Sequence, residues 1–344
     1  MTIRENFLRT ARFEYPEYIH CQIGTAPGGW LRYGKDLEKI VLEYPDLFRE
    51  PGNWQAGAAP QPREKTTYTD DWGVVYESVR DGISGEPKGH PLADYAALET
   101  YQAPDPETEM DWDQVRAGYE SELAAGRFSW GPGAIFFERL QWLRGPVNLY
   151  MDLAETENPP LQRLIDLVLE HHLKLIHRGL ALGPADFTGF GDDLGSQRAP
   201  LMSPATFRRW LKPGYTAMFA PCRAAGSLVQ MHSDGMIIPL VDDLIEAGVN
   251  VLNPQAKVNS LPDMREVMRH RVAIFLSLDL QGVLVFGTPQ EVDDNIRETI
   301  ERLGSPRGGL MLSTSVYEDM PLENLVALAE AMRKYKYMHR ELPE

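Results

Sequence analysis

Cysteine is almost missing from this chain: its 344 residues include only Cys21 and Cys222, each set in apolar sequence. Two thiols rule out a disulfide framework or an all-cysteine zinc site, and they fit a reducing compartment. Positive charge is scarce as well, with 34 Lys and Arg against 50 Asp and Glu and a formal charge of -16. That balance argues against a nucleic-acid partner, since phosphate binding needs clustered basic residues. No apolar run reaches the ~18 residues of a membrane span, and the first residues lack the basic region, apolar core and cleavage site of a secretion signal. A cytoplasmic protein with no membrane partner is expected. No Gly-x-Gly-x-x-Gly opens a helix after a strand and no Walker loop occurs, so a doubly wound nucleotide-binding fold has no fingerprint here.

What is present is an ordinary globular composition, 43% hydrophobic and 24% charged, long enough to bury a large core. Residues 2–14 read as an amphipathic helix, Tyr18–Gly24 as a buried strand, Thr25–Gly29 as a turn and Asp36–Tyr44 as a helix. Pro51–Lys65, rich in Gly, Pro, Ala and Gln, reads as a loop. Tyr68–Ser78 alternates as a strand or hairpin, Pro91–Thr100 resembles a short helix, and Asp105–Arg127 contains another. From Phe128 the units become regular. Phe128–Gly133 is a strand running into a Gly/Pro turn, and a helix over Phe136–Gly145 follows. Pro160–Leu182 is a long helix ended by Gly183 and Pro184, and Asp186–Asp193 is a strand with a polar end. Ser203 caps a helix that continues, past an interruption near Pro213, to Ala225.

The strand Ser227–Met231 then runs into His232, Ser233 and Asp234. Strands at Val249–Asn253, Val272–Asp279 and Gly309–Ser313 alternate with helices at Ser260–Arg269, Pro289–Leu303 and from Leu322. Strands separated by helical patterns of about 10–15 residues imply βαβ units and a parallel sheet. Eight strand candidates, the weakest near Trp72, point to a (β/α)₈ TIM barrel with an N-terminal elaboration, one domain over 1–344.

In such a barrel the chemistry gathers where strands end. His232 and Asp234 are two apart, so on a persisting strand they share a face and could hold a divalent metal or act as a base and its orienting partner. The structural alternative is that Ser233 or Asp234 caps a helix beginning at Gly235 while His232 tucks under the rim. Asp192 and Asp193 end another strand. Neighbours on a strand point oppositely, so one of the two faces the mouth while the other caps or pairs, unless both lie in a solvated loop. Asn253 and Gln255, Asp279, and Thr314 with Tyr317 end three further strands that would converge on the same rim, and Gln197 closes the segment that follows Asp192 and Asp193. Trp130, Tyr68, Trp72 and Tyr76 read first as core, with Trp130 also a candidate substrate contact; His171 and His172 lie mid-helix, where packing is the simpler role.

The series Leu143-Arg-Gly145 with Met151-Asp-Leu, Gly191-Asp-Asp-Leu-Gly-Ser-Gln197, Ser203-Pro-Ala-Thr-Phe-Arg with Lys212-Pro-Gly-Tyr215, His232-Ser-Asp-Gly, Leu252-Asn-Pro254, Phe286-Gly-Thr-Pro-Gln-Glu-Val292 and Pro321-Leu-Glu-Asn324 resembles the uroporphyrinogen decarboxylase superfamily. It is similar to the branch that includes corrinoid-dependent methyltransferases. The resemblance covers the chain from about Phe128 onward, with 1–127 an N-terminal part carrying the loop insertion. It implies a (β/α)₈ barrel and a methyl group moved between a small methylated substrate and a corrinoid on a partner protein, with a homodimer possible. Those methyltransferases share a His-x-Cys motif and a later cysteine that hold zinc and activate a thiol acceptor. Here His232 matches the histidine, Asp234 stands in place of the first cysteine, and the later position falls near Thr314.

The thiolate zinc site is therefore absent as such. A harder site built on His232, Asp234 and another carboxylate could hold a divalent metal. On the methyltransferase reading, proton delivery or metal-assisted polarisation is expected of His232 with Asp193 or Asp234, and Trp130, Asp192, Gln197, Asn253, Gln255, Asp279 and Tyr317 are the candidate substrate contacts. The decarboxylase proper resembles this chain less, because its arginine-rich N-terminal motif has no match around Arg4–Glu17. Two other readings remain: a corrinoid-independent lyase or decarboxylase of a small carboxylated compound, anchored by Arg139, Arg144 or Arg198, and a non-catalytic ligand-binding barrel.

Overall fold

The computed structural model describes residues 1–48, 66–78, 85–183 and 185–344. The expected loop Pro51–Lys65 and the helix-ending Pro184 lie outside them. Ten strands are described: β1 His20–Thr25, β2 Thr67–Thr69, β3 Val75–Glu77, β4 Glu86–Gly89, β5 Trp130–Gly131, β6 Phe187–Gly191, β7 Leu228–Ser233, β8 Val251–Pro254, β9 Ala273–Ser277 and β10 Leu310–Val316. Seven of them form one parallel sheet in the order β1-β10-β9-β8-β7-β6-β5, and β2-β3-β4 form a separate antiparallel sheet. Helices cover the crossovers, as parallel connections require, and the fold is α/β and TIM-barrel-like.

The strand expected near Trp72 is thus not the eighth barrel strand. The Asp70 carboxylate accepts the Val74 N–H at 2.8 Å and Gly73 takes φ +76°, so the chain reverses at once into a hairpin. Alternation marked a strand correctly but could not say which sheet it joins. Trp72 and Tyr76 are buried as read, whereas Tyr68 is exposed and stacks on Tyr76 at 4.9 Å. Two boundaries also differ from the sequence reading. The supposed turn at Thr25–Gly29 is already helical from Pro27, because a proline at the first position costs no helical hydrogen bond. Of Pro91–Thr100, only Tyr95–Glu99 is helical, as a 3₁₀ turn capped by Asp94.

The floor of the sheet is closed by the helix Ile3–Arg12. A reciprocal capping box starts it: Thr2 Oγ1 accepts the Glu5 N–H at 3.1 Å and Glu5 accepts the Thr2 N–H at 2.9 Å. Its apolar face presents Phe7, whose ring stacks on Phe128 at 3.9 Å and meets Phe187 and Phe275 edge-on. Burying that ring contributes about 3 kcal/mol. Arg4 clamps Asp186 with both Nε and a terminal nitrogen, fixing the helix against the start of β6. On the outside, Asn158 caps Pro159–Leu180, whose buried stripe includes Leu161, Leu164, Ile165 and Val168. Among the described residues no helix is long and apolar enough to cross a membrane.

Candidate functional site

The polar residues at the strand ends surround one cavity of about 640 Å³. His232, near the end of β7, pairs in register with Asn253 of β8, and its Nδ1 lies 2.8 Å from Asn253 Oδ1 and 3.1 Å from Asn253 O. Both partners are acceptors, so Nδ1 carries a proton and donates it. On the other side of the ring, Nε2 lies 3.2 Å from Asp234 Oδ1, a carboxylate that also only accepts. An imidazole with oxygen acceptors at both nitrogens is best satisfied as the cation. Burial works to lower the His232 pKa, but the hydrogen bonds from Asp234 and Asn253 and the nearby charge of Asp193 prevail and raise it.

Asp234 does not cap a helix. Gly235 stands at φ +77°, and the next α-helix begins only at Val241, after a 3₁₀ turn over Ile238–Leu240. A side chain at Gly235 would put its Cβ 2.1 Å from the backbone of Gly195, so glycine is required where these two loops cross. Gln255 accepts the Gly235 N–H at 3.0 Å and Asn259 accepts that of Ile237 at 2.9 Å. Ser233 Oγ accepts the Leu194 N–H at 2.9 Å. The β6 and β7 loops are thereby fixed to each other, and His232 and Asp234 are left facing the cavity.

The acidic pair after β6 divides its work. Asp193 accepts the Asp234 N–H at 3.0 Å, and ligand atoms of Asp193, His232 and Asp234 lie within 4.8 Å of one another. Two carboxylates and an imidazole could hold a divalent ion of the harder kind. Asp192 points the other way. It is buried and accepts the N–H groups of Phe136 and Glu138 and the Tyr215 hydroxyl, each at 2.8 Å, so it anchors the start of the helix Phe137–Arg144. Substrate contact by Asp192 is therefore corrected to a structural role. Gln197 also falls away from the cavity, on an exposed tight turn in which Ser196 N–H reaches Ala199 O.

Trp130, His232, Asp234, Asn253, Gln255, Asp279 and Tyr317 all line the cavity. The three arginines considered as anchors do not. Arg139 pairs with Asp70 at 2.8 Å between Trp72 and Trp142, Arg144 pairs with Asp152 at 2.8 Å, and Arg198 is exposed on the Ser196 turn. His171 and His172 are packed under Trp72. Neither cysteine serves the site: both are buried and donate to main-chain carbonyls of Ile19 and Met218, and burial pushes the Cys21 thiol up to about 12.

Sequence reasoning missed Gln22, Gln230 and Lys257, which line the cavity, and Glu138. Gln230 lies two residues before His232, so the alternation that singled out Asp234 pointed equally at it. Glu138 follows a strand-end turn; burial and the charges of Asp193 and Asp192 push its carboxyl up to about 7.

The model of the family described as uroporphyrinogen decarboxylase (URO-D) matches residues 148–335, more than half of the chain. The chain belongs to the URO-D family. A methyltransferase from Methanosarcina mazei has a similar structure, with a TM-score of 0.69 at 17% identity over 97% of this chain and 99% of that one. This is a likeness of fold. More distant are a D-psicose 3-epimerase, TM-score 0.40 at 9% identity over 73% and 93% of the two chains, and an endo-1,4-beta-xylanase from Caldicellulosiruptor owensensis, TM-score 0.36 at 11% identity over 61% and 72%. A search of curated proteins gave no match. Within the URO-D family, the thiolate zinc centre of the methyltransferase branch does not fit the residues found here, since oxygen donors occupy the positions around His232.

Proposed function

We propose that this URO-D family protein is a methyltransferase-like enzyme that removes a methyl group from a heteroatom of a small substrate and passes it to a corrinoid held by a partner protein. The observation that carries this reading is His232, set between two oxygen acceptors so that its cationic form is favoured. Breaking a methyl–heteroatom bond leaves the electron pair on the heteroatom, and a proton delivered to that atom makes it a better leaving group. The low-valent corrinoid supplies the two-electron nucleophile that receives the methyl group. Asn253 orients the imidazole, and Asp234 and Asp193 stabilise its charge.

The lack of thiolate ligands argues against the thiol-activating half of methyltransferase chemistry and for the half that cleaves a methylated substrate. A carboxylate-directed lyase fits less well. Among the described residues lining the cavity, the fixed cation is Lys257, whereas Asp234, Asp279, Glu318 and Asp319 are acidic. A second role for the trio is suggested by its spacing, since a divalent ion between Asp193, His232 and Asp234 would polarise the same heteroatom. Metal analysis of the purified protein separates the two roles. Anaerobic titration with reduced corrinoid in the presence of methylated ethers, amines and thioethers tests the whole reading: methylation of the corrinoid is expected for the wild type and not for His232→Ala. No spectral change with any donor would sink the proposal.

A further inference from the structure

Gln230 is only 7% exposed and lines the cavity; its main chain is paired within the sheet, while its side-chain amide makes no hydrogen bond to the described residues. Its two N–H donors and carbonyl acceptor therefore open to the cavity, available to a ligand there. It lies on the cavity-facing side of β7, two residues below His232. Beside it β6 carries two glycines, Gly189 in register with Gln230 and Gly191 in register with His232. A Cβ on Gly189 would sit 3.2 Å from the Trp130 ring and 3.4 Å from Gln230 Oε1. One on Gly191 would meet nothing within 4 Å.

We infer that Trp130, Gly189, Gly191 and Gln230 form a slot for a flat, uncharged ring carrying a hydrogen-bonding substituent. Gly191 leaves a strip of bare peptide level with His232, while the space over Gly189 is taken by the Trp130 ring and the Gln230 amide, so a ring laid against Gly191 meets both at its deep end. Trp130 supplies an aromatic edge beside that strip. The Gln230 amide both donates and accepts, so it reads a polar group such as an amide, lactam or hydroxyl at the deep end. A charged group there would lack a counter-ion, and an anion would also have to pass the acidic residues nearer the mouth. On the proposed methyl-transfer reading, on which this assignment of substrate class rests, the ring's other end carries the methylated heteroatom level with His232.

The test is direct binding to the full chain, without corrinoid or methyl donor, so its outcome is independent of any methyl-transfer assay. The probes are benzamide, cyclohexanecarboxamide and benzoate, followed by calorimetry and ligand-observed NMR. Benzamide is expected to saturate in the millimolar range, with the non-planar and the anionic analogues at least about tenfold weaker. Gln230→Leu should weaken benzamide about tenfold. Gly191→Ala and Gly191→Val should weaken it progressively, and Gly191→Ala should keep the wild-type melting temperature because its added carbon enters open space. Equal binding of benzamide and its cyclohexane analogue overturns the inference. So does benzamide binding that neither Gln230→Leu nor Gly191→Val alters, or the absence of saturable benzamide binding to the wild type.

Discussion

The Asp193 carboxylate holds the Asp234 main-chain N–H at 3.0 Å, joining the ends of two neighbouring barrel strands directly beside His232. Because the link runs through the backbone, it fixes where the Asp234 carboxylate stands without consuming it. Asp193→Ala is expected to lower methyl transfer by about tenfold to a hundredfold, with a smaller loss for Asp193→Asn, whose amide oxygen can still accept that N–H. A corrinoid-methylation rate that ranks the two variants in the opposite order would contradict a positioning role.

The charge on His232 gives a pH prediction. Its pKa is raised, because the partners Asp234 and Asn253 outweigh the opposing effect of burial, so the cation persists to higher pH than for a free imidazole. Activity should be full on the acidic side and fall as pH rises through the raised value. Asp234→Asn removes the principal partner and should move that falling limb to lower pH. If the pH–rate profiles of wild type and Asp234→Asn superimpose, His232 is not the proton donor.

Glu138 predicts the pH dependence of stability. Burial and the neighbouring Asp193 and Asp192 raise its pKa to about 7, so the folded protein holds that proton more tightly than the unfolded chain. The resulting stabilisation is complete below the ordinary carboxylate value of 4.5 and is lost as pH rises towards about 7. Melting temperature should therefore fall between pH 5 and pH 8 more steeply in the wild type than in Glu138→Gln. Parallel curves for the two proteins would show that Glu138 titrates normally.

Asp192→Ala strands three donors at once, the N–H groups of Phe136 and Glu138 and the Tyr215 hydroxyl. A loss of about 3 kcal/mol is expected in urea unfolding. Probe binding by the surviving folded fraction should be little changed, and a selective loss of binding without loss of stability would return Asp192 to the site.

Arg144 separates the lyase reading from the one preferred here. It is engaged by Asp152 and lies over the Tyr95 ring at 3.7 Å, so Arg144→Ala should cost about 3 kcal/mol of stability while leaving substrate KM near the wild-type value. A large rise in KM for a carboxylated substrate at unchanged stability would favour the lyase.

Much of this was legible in the sequence because period and punctuation both survive folding. Ser203 and Thr288 cap helices at the residues where Pro follows, and the different partners of Asp192 and Asp193 match an alternation carried past the end of β6 at Gly191. What could not be read was long-range. Nothing local says that Asp70 turns the Trp72 segment into its own small sheet, or that Asp192 finds donors more than 50 residues earlier in the chain. Gln230 was passed over for a different reason: within an apolar strand, an amide attracts less attention than the histidine and aspartate that follow it.

The sheet's edge order has a temporal consequence. β1 is hydrogen-bonded to β10 along six residue pairs, from His20↔Met311 to Thr25↔Val316, so the first strand made waits for the last. On a ribosome adding about 5–20 residues per second, that wait spans some tens of seconds, during which β1 has only its short link to Leu47 and Phe48 and Phe7 awaits Phe275. Pairings so distant in sequence also fold slowly, and the nascent chain is a natural client for a chaperone until its C-terminal strand emerges.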